Sequence, residues 1–163
     1  MGDRFWGRID FPARMIDAEI REALEEEGVG FNDQGIIEKS PEFYGDEVVV
    51  EDGIVTMSDQ EANYGCFSDL EDLLRKKGVP FDRQSGQAYD YTPELVIFRP
   101  AQDGAPALDL TIPLHDDEPI ISVMEIRELL AQGVEAAMAY LDQHFPAYSP
   151  LSDFVKEASY ESG

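Results

Sequence analysis

Four consecutive side chains, His115, Asp116, Asp117 and Glu118, form the densest set of potential ligands in the chain. Oxygen donors of this kind hold magnesium or calcium, and an imidazole beside them would suit a metal-dependent hydrolase. Spacing argues the other way. A strand sends neighbouring side chains to opposite faces, and no second cluster stands at a motif distance. A solvated acidic loop is therefore the first reading, with the metal site as its rival. Cys66 is the one possible thiol nucleophile, and it precedes a helix start, where thiol pKa values fall. It would need a base close in space, and a lone cysteine usually serves packing. No Gly-x-Ser-x-Gly elbow and no glycine-rich phosphate loop occur. Carboxylate pairs are so abundant that pairing identifies no acid–base couple. No residue set here singles out an enzyme, although none excludes one, and no cofactor is expected.

Trp6 stands between Arg4 and Arg8, at the spacing that puts all three on one strand face. Tyr89 and Tyr91 would join them if their strand lies nearby. An aromatic flanked by arginines resembles single-strand nucleic-acid platforms in physical kind, and it equally suits a protein hot spot. The plainer reading pairs the arginines with neighbouring carboxylates and stacks them on Trp6.

The charge balance limits these choices. Thirty-five Asp and Glu face twelve Lys and Arg, for a net charge of −23 in 163 residues. Such a surface repels nucleic acid and anionic membrane and attracts basic protein surfaces. The acids run through the whole chain: 13, 10 and 12 of them fall in residues 1–50, 51–100 and 101–163. A globule of this length is about 40 Å across. Duplex DNA of that length carries on the order of 24 charges, a comparable total. The expected partner-binding set is Asp17, Glu19, Glu22 and Glu26, anchored by Trp6, Tyr89 or Tyr91.

The elements that must position these groups follow from periodicity. Arg4–Phe11 alternates as a strand, and Pro12 is expected to open a helix reaching Glu27. Residues 29–45 read as irregular. Asp52-Gly53 predicts a hairpin between 47–51 and 54–57, followed by a polar loop over 58–65. Ser68 and Glu71 predict a capping box for a helix ended by Gly78. Strands are expected at 79–83, 87–91, 94–99 and 108–114. Ser122 should cap one long helix to His144, with Val123, Ile126, Leu130, Val134, Ala137 and Leu141 facing the core.

This order predicts an α+β fold: a ferredoxin-like sheet with helices on one face, an extra β-hairpin and a C-terminal helix. Residues 1–148 form a single domain in this reading, and 149–163 a short helix with a frayed tail. One cysteine allows no internal disulfide, and Met1–Phe11 lacks the apolar run of a signal peptide, so the expected location is cytoplasmic. In composition and size the chain is similar to small acidic inhibitors carried by phages and plasmids, which block restriction or CRISPR effectors. That likeness implies a DNA mimic seated on a basic, nucleic-acid-binding surface of a partner protein. The alternatives are an accessory or assembly protein whose acidity reflects a high-salt host, and the hydrolase built on His115–Glu118.

Overall fold

The computed structural model describes residues 4–38, 47–63, 65–86, 92–102 and 104–155. Tyr89 and Tyr91 lie outside them. The first strand, β1 (Arg4–Pro12), alternates as its sequence requires: Phe5, Gly7, Ile9 and Phe11 are buried, while Arg8 is exposed. Pro12 ends this strand and does not open the helix. A 3-10 turn (Ala13–Met15) intervenes, and α1 (Ala18–Glu26) starts where the Asp17 carboxylate accepts the Ile20 N–H at 2.9 Å. Capping by a short carboxylate overrides the proline signal because it satisfies an orphan backbone donor.

A small hairpin follows, β2 (Gly30–Phe31) with β3 (Ile37–Glu38), where the sequence promised only irregular chain. Its turn is held by Asn32 Oδ1, which accepts the N–H groups of Gln34 and Ile36. The hairpin of β4 (Glu47–Glu51) and β5 (Ile54–Asn63) forms as expected around Asp52-Gly53, both with positive φ. The expected loop at 58–65 is mostly strand, since β5 continues along β1 to Asn63 with a bulge opposite Trp6. The helix α2 (Ser68–Lys77) ends at left-handed Gly78. Its cap sits one residue earlier than expected: the Glu71 carboxylate accepts the N–H of Phe67 at 2.7 Å.

Three strands extend the sheet, β6 (Phe81–Ser85), β7 (Glu94–Arg99) and β8 (Leu108–His115), with a two-residue edge strand β9 (Glu118–Pro119). The seven-stranded sheet runs β4-β5-β1-β6-β7-β8-β9, antiparallel at every pairing. The chain is thus an α+β protein. The main core joins Ile20 and Leu24 of α1 and Leu70 and Leu74 of α2 to Ile9, Phe11, Met57 and Phe81 of the sheet. Both helices therefore cover one sheet face. Gly7 lies under the loop into α2, where an added Cβ would stand 2.5 Å from the Gly65 carbonyl oxygen.

The opposite face is covered only in part. Ile97, Ile112 and Leu114 form a second, smaller core that Phe145 joins. The chain beyond Phe145 is tied down by arginines: Ser149 O accepts from Arg99 Nε, and Phe154 O accepts from Arg14 Nε. Leu151 and Phe154, in a 3-10 helix (Leu151–Phe154), are buried.

The expected long C-terminal helix is two helices. Gly133, at φ 124°, separates α3 (Val123–Gln132) from α4 (Val134–His144). Its presumed core stripe is largely in solvent: Val123, Leu130 and Val134 are more than half exposed, and Ala137 alone in the two helices is buried. Among the described residues no helix is long and apolar enough to cross a membrane.

Candidate functional site

The α1–α2 layer concentrates the acid. The two helices run antiparallel, so the last turn of α1 meets the first turn of α2, and Lys77 at the far end of α2 reaches the start of α1. Lys77 Nζ lies 3.0 Å from both Asp17 Oδ2 and Glu19 Oε1. The Asp17 carboxyl is held below its usual range, first by the Ile20 N–H and then by Lys77. Arg21 pairs with Glu25 at 3.0 Å, one turn on. These three acids are therefore partly neutralised within the layer.

The remainder are not. Glu22, Glu26, Glu27 and Asp69 form no ion pair among the described residues. Burial pushes the Glu27 carboxyl above its usual range, and the charges of Asp69, Asp59 and Glu26 push it further. Burial is the larger cause, and the like charges gathered in this corner add to it. The negative end of the α1 dipole aggravates it, while the positive start of α2 beside Asp69 relieves it.

Of the expected binding acids, Glu22 and Glu26 belong to this corner, and Asp17 and Glu19 to the Lys77 end. Glu27, Asp59 and Asp69 complete it and were not nominated from sequence. Their signal was topological: two helices on one sheet face, joined through a β-hairpin, must align the end of the first with the start of the second.

Trp6 is on the other side of the sheet. It shares that face with Arg8, Val49, Thr56 and Ser58 around a shallow depression of about 300 Å³. A smaller one of about 190 Å³ adjoins it, bounded by Arg8, Asp10, Asp82 and Gln84. Arg8 Nε lies 3.1 Å from Asp10 Oδ1, the pairing that the plainer reading required. Burial raises the Asp82 carboxyl, and Arg99, 2.8 Å away, offsets this only in part. The sheet thus separates Trp6 from the acidic helices, and no single flat partner surface touches both.

A buried ionic cluster underlies the start of α2. Arg83 Nε lies 3.2 Å from Glu71 Oε1, both nearly inaccessible, and Arg83 Nη1 lies 3.1 Å from Glu94 Oε1. Burial opposes the Arg83 charge, but the Glu71 and Glu94 carboxylates outweigh it and hold the guanidinium protonated. Cys66 borders this cluster. Burial pushes its thiol pKa up, against a smaller lowering by Arg83, with Glu71 and Glu94 raising it too. The thiol is therefore not activated as a helix N-terminus would have it, because burial first, and the adjacent carboxylates after it, oppose a thiolate.

Asp116 and Asp117 form the two-residue turn between β8 and β9, both with positive φ. His115 and Glu118 are the paired residues that flank it, and all four side chains are exposed. Gln84 Nε2 donates to Asp117 Oδ1 at 2.7 Å. Among the described residues no three His, Cys, Asp or Glu side chains converge as metal ligands.

Compared with protein-family profiles, curated proteins and solved structures, the chain shows no match to any of them.

Proposed function

We propose that this chain is a non-enzymatic binding protein whose α1–α2 carboxylates occupy a basic, nucleic-acid-binding surface of a partner protein, standing in for phosphates. The observation that carries it is the acidic corner of Glu22, Glu26, Glu27 and Asp69. These carboxylates lack internal counter-ions among the described residues, and repulsion from Asp69 and Glu26 adds to the burial that raises the Glu27 carboxyl. A cationic partner relieves that repulsion on binding, which favours the complex and makes it salt-sensitive. An inhibitor of restriction or CRISPR effectors fits this chemistry. The fold reading that accompanies it is a ferredoxin-like core. Its support is the succession β1-α1-β4-β5-α2-β6 combined with the spatial order β4-β5-β1-β6.

Affinity capture from lysate tests the function, with the wild-type chain and the quadruple variant E22Q/E26Q/E27Q/D69N immobilised in parallel. A basic nucleic-acid-handling protein should be retained by the wild type, released by added duplex DNA, and lost from the variant. A partner retained equally by both chains, or indifferent to DNA, would overturn the reading.

A further inference from the structure

We propose that the α3–α4 helix pair is a second docking surface, built for a cationic amphipathic segment of a partner protein. It lies apart from the α1–α2 layer and stands or falls independently of the function proposed above. Val123 and Leu130 stand seven residues apart on α3, and Val134 and Met138 four apart on α4, so each pair shares one helix face. All four are more than half exposed, as is Met124. Helices of ten and eleven residues are too short to persist on backbone hydrogen bonds alone and normally depend on burying an apolar face. Here α3 buries no residue and α4 only Ala137, so the pair's apolar side chains await a cover that the described residues do not supply.

Charge selects the occupant. Glu125, Glu128, Glu135 and Asp142 are exposed on the same two helices, and Arg127 is the only Lys or Arg among them. None of the four carboxylates enters an ion pair among the described residues. A second copy would set these carboxylates against their equivalents, on molecules that each carry −23. On α4 the spacing sets Glu135 and Asp142 beside Val134 and Met138, while on α3 Arg127 stands between Val123 and Leu130, so a helix with an apolar stripe and lysines or arginines along its α4 side satisfies both the apolar surface and its acidic edge. Methionines at 124 and 138 add side chains that adapt to the occupant's shape.

The probe is a labelled amphipathic peptide of about 18 leucines and lysines at helical spacing, titrated at about 150 mM salt and read by fluorescence anisotropy. Two controls separate the forces: leucine with glutamate keeps the apolar stripe, and serine with lysine keeps the charge. The leucine–lysine peptide alone should bind. L130S/M138S should weaken it about tenfold, whereas E22Q/E26Q should leave it unchanged. If L130S/M138S loses its helical circular dichroism, E135Q/D142N serves instead and should weaken binding severalfold. Equal binding of either control peptide, or undiminished binding by the α3–α4 variants, would overturn the inference. So would a sedimentation-detected dimer that L130S/M138S dissolves, since the occupant would then be a second copy.

Discussion

The α1–α2 layer and the α3–α4 pair begin from the same kind of sequence, acid-rich helices with an apolar stripe, and reach opposite outcomes. In the first, Ile20, Leu24, Leu70 and Leu74 are buried and the carboxylates face solvent. In the second, Val123, Leu130, Val134 and Met138 face solvent together with the carboxylates. Apolar spacing therefore specifies that a helix has a stripe, not that its own chain covers it. Cover depends on where the connections deliver the helix. β1 and β5 lead directly into α1 and α2 above the middle of the sheet, whereas α3 leaves from β9 at its edge.

Four perturbations would break or sharpen this contrast. The largest concerns the ionic cluster beneath α2. Arg83→Met leaves Glu71 buried without its partner and should cost about 3–5 kcal/mol in urea unfolding. Adding Glu71→Gln should return part of that loss. A cost below 1 kcal/mol would mean, on the order of magnitude expected of buried pairs, that the cluster is hydrated. Next is a matched pair of truncations. Leu74→Ala should destabilise by about 2–5 kcal/mol and Leu130→Ala by no more than about 0.5 kcal/mol. Similar values would erase the distinction between the covered and uncovered stripes. Gly7→Ala should follow at about 1–3 kcal/mol, because its methyl meets the Gly65 carbonyl and backbone must shift.

The smallest effect is electrostatic and has a defined sign. The folded-state pKa of Glu27 is raised, by burial first and then by Asp69, Asp59 and Glu26. A raised value means the folded state holds that proton more tightly than the unfolded chain. Its stabilising contribution is complete below the ordinary glutamate range and is lost as pH rises through the folded value. Glu27→Gln should therefore raise the melting temperature at pH 7 and flatten the gain seen on acidification. A variant that melts lower at pH 7 would contradict the crowding of charge at this corner.

Much of the sheet was legible in the residues because strand evidence is local. Alternation in Arg4–Phe11 and Leu108–Leu114, and the Asp52-Gly53 turn, are set by neighbours in sequence. The candidate site was half legible. Glu22 and Glu26 follow from helix spacing, but Asp59 and Asp69 reach Glu27 only through the packing of other elements. Trp6 was placed on the correct strand face, yet its separation from the acidic helices required knowing which face those helices cover. The break at Gly133 was missed because the hydrophobic spacing continues across it. There the glycine, free of Cβ strain, takes a positive φ that ends the helical hydrogen-bond ladder.

By itself the sequence determined the surplus of carboxylate, the helical stripes, the strand alternation and the turns at Asp52-Gly53 and Gly78, since each depends on bonds and residues a few positions apart. Tertiary structure alone decided which stripe is covered, which carboxylates keep a basic neighbour and which crowd together at Glu27. The physical reason is that burial and charge interaction fall off with distance in space, and the chain sets those distances only when the sheet has assembled.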